Sequence, residues 1–171
     1  MQKGYIMEKD TPYRRLLDDL CQRANISTSD HREDFYYVAD IKVDDVDFSL
    51  MPGSDDNAGA LLFFSDFGLI PVEFETIAMR RLLEANLVMM GVGRPNFGIN
   101  FSTGHVLLSG SVQIAGMDGE KLLAMLRHYA SKANTWRQSY FMLYEERQKT
   151  ASSSPERNRM LKQFERASTN F

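Results

Sequence analysis

The stretch from Ala60 to Met90 places the tightest constraint on how this chain folds. It opens Ala60-Leu61-Leu62-Phe63-Phe64-Ser65-Asp66-Phe67-Gly68-Leu69-Ile70-Pro71, a short apolar and aromatic run punctuated by Gly68 and Pro71. Such a run suits a strand buried on both faces. From Val72 the period changes. Phe74, Ile77, Ala78, Leu82, Ala85 and Met89 recur at helical spacing, which makes one apolar stripe. Glu73 and Glu75 stand near its start, where the helix dipole favours negative charge, and Pro71 precedes the first free amide donors. Met79, Leu83, Asn86, Leu87 and Met90 extend the apolar surface beyond that stripe. A helix apolar over most of its circumference needs cover on two sides, from its own sheet and from another surface. In a small protein a second copy of the chain is a common source of that cover.

With 171 residues, the chain is long enough for one domain with a substantial core and short for two. It contains no run of eighteen apolar residues, so no membrane insertion is expected. The amino end, Met1 to Met7, lacks the apolar core of a secretory signal. The single cysteine, Cys21, allows no internal disulfide framework, and a cytoplasmic location is expected. Charge is unevenly spread. Residues 1–90 carry 17 acidic and 9 basic side chains, whereas residues 91–171 carry 6 acidic and 11 basic. The overall charge of −3 argues against a nucleic-acid partner, which requires a strongly basic face.

The remaining elements follow in order. Asp10-Thr11-Pro12 reads as a helix cap with proline in the first turn, followed by the stripe Tyr13, Leu16, Leu17, Leu20, Cys21 and Ala24. Asn25 is a left-handed stop. Cys21 lies on the apolar stripe and reads as a core residue rather than a nucleophile. Phe35 to Val43 is aromatic and β-branched and is expected to be a strand. Asp44-Asp45 turns the chain, and Val46, Phe48 and Leu50 alternate with Asp47 and Ser49 in a second strand. Phe97, Ile99 and Phe101 alternate with Gly98, Asn100 and Ser102; Thr103-Gly104 signals a hairpin, and Val106 to Ile114 returns, with Gly110 a possible bulge. Asp118 caps a long last helix, with Met117 and Leu122 placed as a hydrophobic staple. Its seam, Leu122, Leu126, Tyr129, Ala133, Trp136, Tyr140 and Leu143, suits lengthwise packing on a sheet. Together these elements predict an α+β fold: a twisted antiparallel sheet of about five strands with three main helices, in the order α-β-β-β-α-β-β-α. Residues 1–149 form one domain, and residues 150–171 form a basic extension with a possible short helix through Met160, Leu161 and Phe164.

The sequence offers no catalytic constellation. His31, His105 and His128 fall in different elements, and no paired cysteines, H-E-x-x-H or P-loop occur. Gly91-x-Gly93 does not open a helix, so it is no dinucleotide fingerprint. Asp55-Asp56-Asn57 lacks the glycine and glutamate spacing of an EF-hand. No cofactor and no metal are expected. The acidic hairpin from Asp40 to Asp47 suits protection of an edge strand.

Several short pieces, taken in order, resemble the class I type III secretion chaperones, the CesT or Tir-chaperone family. They are Tyr13-x-x-Leu16-Leu17, Phe67-Gly68-Leu69-Ile70-Pro71, Leu82-Leu83-Glu84-Ala85-Asn86-Leu87, Phe97-Gly98-Ile99-Asn100, Thr103-Gly104-His105-Val106, Asp118-Gly119 and Trp136-Arg137. The resemblance covers about residues 10–145 and leaves out the extension. It implies a bacterial cytoplasmic homodimer without enzymatic activity. Such a dimer binds the amino-terminal region of one or more secreted effectors in a mostly extended form and delivers it to the export apparatus, with the secretion ATPase as a further partner. An adaptor of the same fold that binds a folded protein is the alternative.

Two sets of candidate residues follow. For a homodimer interface they are Met79, Leu82, Leu83, Asn86 and Leu87, with Phe97 and Ile99 nearby. For effector binding they are Leu16, Leu17, Phe35, Tyr36, Tyr37, Val38, Val46 and Phe48. The early strands hold more apolar residues than one sheet face needs, and Tyr36 and Val38 are expected to point opposite to Tyr37 and Ala39. Core packing is the competing role for each of this second set.

Overall fold

The computed structural model describes residues 10–26, 33–54, 59–91 and 94–142. Leu143, the extension with its expected short helix, His31 and the Asp55-Asp56-Asn57 loop lie outside these residues. The elements run α1 (Pro12–Arg23), β1 (Ala39–Val43), β2 (Val46–Pro52), β3 (Ala60–Gly68), α2 (Glu75–Met89), β4 (Asn96–Ile99), β5 (Val106–Gln113) and α3 (Gly119–Ser139). All strand pairs are antiparallel and the sheet order is β1-β2-β3-β5-β4, the expected α+β architecture.

Local chemistry sets the element ends. The Thr11 side chain accepts from the Arg14 amide, Pro12 occupies the first turn, and Asn25 takes a left-handed φ of 55° just beyond the helix. Asp118 accepts from the Lys121 amide at the start of α3, and Tyr140 closes the helix in a left-handed conformation. Asp44 and Asp45, at φ 48° and 63°, form the two-residue turn between β1 and β2.

The core lies between one face of the sheet and the pair α1 and α3. Leu17, Leu20, Val46, Phe48, Leu50, Phe63, Phe67, Leu122, Leu126 and Trp136 are all buried there. The two helices approach closely at Gly119, where a Cβ would stand 2.5 Å from the Asp19 carbonyl carbon. The Gly119 amide donates to the Asp19 carboxylate across this contact at 2.6 Å. Arg137 ties the far end of α3 to the sheet, donating to the carbonyls of Asp45, Asp66 and Phe67.

Three sequence expectations are corrected. Phe35 to Val43 is not one strand: Glu33–Tyr36 is a 3-10 turn, and β1 begins only at Ala39. The Tyr36 hydroxyl donates to Asp18 on α1 at 2.7 Å and the Arg14 guanidinium sits over its ring, so docking on α1 overrides β propensity. The period-2 alternation therefore fails before Val38, and both Tyr37 and Val38 are exposed. Next, β3 is not buried on both faces. Leu61, Phe63, Ser65 and Phe67 point into the core, while Leu62, Phe64 and Asp66 face the opposite side, which no helix covers among the described residues. Finally, Gly110 is not a bulge. It pairs with Phe63, whose ring would lie 2.7 Å from an added Cβ; the irregularity falls instead between Asp66 and Gly68.

Ser65 is fully buried and its hydroxyl has no hydrogen-bond partner among the described residues. A buried, unsatisfied hydroxyl costs about 1–3 kcal/mol. Ser65→Ala is therefore expected to raise stability by about 1 kcal/mol in urea unfolding; a loss of stability would show that the hydroxyl is satisfied in solution.

Candidate functional site

Among the described residues two surfaces are left uncovered, and each is built from more than one element. The first is the flank formed by α2 and β4. Only Ala78 and Leu82 of α2 are buried. Leu83, Leu87 and Met90 repeat at helical spacing, are 70%, 69% and 76% exposed, and continue the line of half-buried Met79. Beside them, Phe97 and Ile99 of β4 complete a small apolar hollow of about 210 Å³ that is lined by Met79, Leu82, Leu83, Asn86, Phe97, Gly98 and Ile99. The structure thus brings the predicted interface residues other than Leu87 around one hollow, with Leu87 further along the same helix. Leu82 differs from the rest, since it is buried and forms the floor rather than the rim.

Asn86 has a definite task on this flank. Its side-chain carbonyl accepts from the Phe97 amide at 2.7 Å, and its amide donates to the Phe97 carbonyl at 3.0 Å. It therefore satisfies both backbone groups of an edge-strand residue and fixes β4 against α2. Glu84 accepts from Arg80 and Arg81, and these two hydrogen bonds hold its carboxyl below the usual carboxylate range.

The second surface is the open face of the sheet. Val38, Met51, Phe64 and Leu107 form its apolar floor, with Asp40, Lys42, Asp47, Ser49, Asp66, Asn100, Thr103 and His105 around them, in a shallow trough of about 670 Å³. Asp66 accepts from the His105 ring at 2.7 Å and from the Gly68 amide at 2.6 Å, so one carboxylate holds both the β3 irregularity and the start of β5. The trough runs out to the free edge of β1. Val43 and Val46 flank the two-residue turn and exchange both backbone bonds, which directs the peptide groups of Asp40 and Lys42 outward.

The predicted effector-binding residues divide between core and surface. Leu16, Leu17, Val46 and Phe48 are between 0% and 4% exposed and pack in the core, because their side chains face α1 and α3. Phe35 and Tyr36 are half-buried against the core margin, and hydrogen bonding to Asp18, with some burial, pushes the Tyr36 hydroxyl up to about 12. Tyr37 and Val38 are the exposed members. Sequence reasoning missed Met51, Phe64 and Leu107. Their signal was an apolar residue at alternate strand positions where a solvated face would carry a polar one.

Among the described residues the geometry assembles no catalytic cluster. Cys21 is buried, and desolvation, helped by the nearby Asp18 charge, raises its thiol to about 11, unfavourable to a nucleophilic thiolate. Among the described residues no group of three or more His, Cys, Asp and Glu could hold a metal ion, and no helix is long and apolar enough to cross a membrane.

An open sheet face, a free strand edge and an apolar helix flank, without a catalytic cluster among the described residues, define a protein-binding module. The family comparison makes the class specific. Residues 15–137 match the model of the Tir chaperone protein (CesT) family, and the chain belongs to that family, whose members are chaperones rather than enzymes. Solved structures share the fold at low sequence identity. One is the complex of ExsC with ExsE: 22% identity, TM-score 0.60, covering 77% of this chain and 96% of that one. Another is the Yersinia pestis type III secretion chaperone SycH bound to a fragment of YscM2, at 18% identity and TM-score 0.55, covering 73% and 98%. The ExoT–SpcS complex of Pseudomonas aeruginosa follows at 17% identity and TM-score 0.52, covering 74% and 97%. Among curated protein sequences none matches.

Proposed function

We propose that this chain is a type III secretion chaperone that holds the amino-terminal region of one or more secreted effectors in a partly extended form. The observation that carries this reading is the continuity of the free β1 edge with the apolar floor at Val38, Met51, Phe64 and Leu107. An extended segment gains main-chain bonds at such an edge and seats alternate side chains beside it. Tyr37 and Val38, at the entrance to β1, meet that segment first, and Phe35 and Tyr36 support them from the 3-10 turn that Tyr36 docks on α1. Ordering the segment offsets much of its contact energy. A homodimer through the α2–β4 flank supplies two such surfaces to one effector and raises avidity without a new type of contact. The complex acts in the bacterial cytoplasm and passes its effector to the export apparatus, including the secretion ATPase.

The test is Val38→Asp. Val38 is 42% exposed, so its loss leaves the core intact. Effector captured from the source cell, identified and mapped to its bound region, should be retained at least tenfold less well, roughly 1.4 kcal/mol or more. The melting temperature should stay within about 2 °C, as for surface changes in general. Retention at the wild-type level would remove the open face from the binding surface. A bound partner that resists protease over its whole length would point to an adaptor for folded proteins instead.

A further inference from the structure

We propose that the open sheet face is occupied, in the absence of a partner, by the carboxyl-terminal segment of the same chain, residues 151–171. Three observations meet at this face.

The first is charge. The trough carries Asp40, Asp47 and Asp66 against Lys42, and the adjoining turn adds Asp44 and Asp45. Lys42 is drawn to Asp47 at 3.4 Å, Asp66 accepts from His105 and Gly68, and Asp40 accepts from Ser49, yet three carboxylates face one lysine, so the lining keeps an excess of negative charge. The segment has the opposite balance, with Arg157, Arg159, Lys162 and Arg166 against Glu156 and Glu165. The second is apolar content. Val38, Met51, Phe64 and Leu107 form a floor that no described element covers, and the segment sets Met160, Leu161 and Phe164 among its cations. Exposed ion pairs contribute only ~0–1 kcal/mol each, so this apolar contact supplies the binding and the charges supply its register.

The third is where the described chain ends. The last turns of α3 lie against the end of the sheet that holds the acidic groups. Asn134 donates to the Asp44 carbonyl, and Arg137 donates to the carbonyls of Asp45 and Asp66. The chain leaves α3 at Tyr140 to Met142, where Tyr140 packs on Phe74 and Phe141 on Phe97, toward the β4 side of the sheet. Residues 143–150 can span about 26 Å when extended, whereas packed layers are about 10 Å apart, so the segment can pass around the sheet end and reach the trough. Tethering holds it at an effective concentration on the order of millimolar, so docking with an intrinsic Kd below about 0.1 mM leaves the face mostly occupied. The docking stands independently of the effector reading; its consequence, competition between segment and effector for one surface, rests on that reading.

Paramagnetic relaxation in the full-length protein tests the docking without any effector. Cys21 is fully buried, so a nitroxide directed to Ser168→Cys attaches selectively to the segment. With the methionine methyls labelled, Met51 reports on the trough and Met79 on the α2 flank. The Met51 signal is expected to fall on the order of tenfold against the reduced label, because the docked state dominates. Replacing Met160, Leu161 and Phe164 together by serine should restore it. An undiminished Met51 signal, loss at Met79 instead, or loss that survives the triple replacement would overturn the proposal. So would loss of Met51 signal that appears only between differently labelled chains in a mixed sample, which would place the segment on a second copy.

Discussion

Leu83→Glu is expected to leave the protein monomeric at micromolar concentration, with the wild type scattering light at twice its 19.6 kDa chain mass. The substitution acts on assembly rather than folding. In one chain Leu83 is 70% exposed and touches the rim of the α2–β4 hollow, so glutamate there meets water and changes monomer stability by less than about 0.5 kcal/mol. In a dimer that closes this flank, the carboxylate would be buried against the partner's apolar surface, and twice over, because a two-fold interface uses the same patch on both copies. An unpaired buried charge costs about 3–5 kcal/mol, so dimer affinity should fall by on the order of a hundredfold or more. The stripe Met79, Leu83, Leu87 and Met90, with Ile99 beside it, gives the flank the apolar centre that stable interfaces share. A wild-type mass of one chain at micromolar concentration would end the dimer reading, and an unchanged mass in the variant would move the interface elsewhere.

Gly119→Ala should be the most destabilising single-methyl change in the fold. The added Cβ would stand 2.5 Å from the Asp19 carbonyl carbon and 2.6 Å from the Leu20 nitrogen. Both are backbone atoms of a helix, so no rotamer change relieves the clash, and α1 must move off α3. That movement also stretches the 2.6 Å bond from the Gly119 amide to Asp19, and it loosens Leu17 and Leu20 against Leu122 and Leu126. Overpacking of this kind costs about 1–3 kcal/mol, and the backbone contact puts this case near the upper figure. At about 2–4 °C per kcal/mol for a chain of this size, the melting temperature should drop by about 6–12 °C. Asp19→Ala removes the bond but not the close approach and should cost less. A variant that melts with the wild type would mean that α1 and α3 are further apart in solution.

The sequence by itself determined the order of elements and much of the core. Helical spacing in α1 and α3 is a property of the chain alone, as are the caps at Thr11 and Asp118, the left-handed stop at Asn25 and the tight turn at Asp44-Asp45. The surplus apolar residues on α2 were legible for the same reason, since the helix has more apolar circumference than one contact can cover. Only the tertiary structure decided which apolar residues stay outside. Phe48 and Val38 look alike in sequence, but Phe48 points toward α1 and α3 while Val38 points away from them. Periodicity separates the two faces of a strand without saying which face a helix will cover; that depends on contacts between elements far apart in the chain. Long-range docking likewise turned Phe35 and Tyr36 out of the strand and onto α1, where a hydrogen bond to Asp18 outweighs a local preference worth less than about 1 kcal/mol.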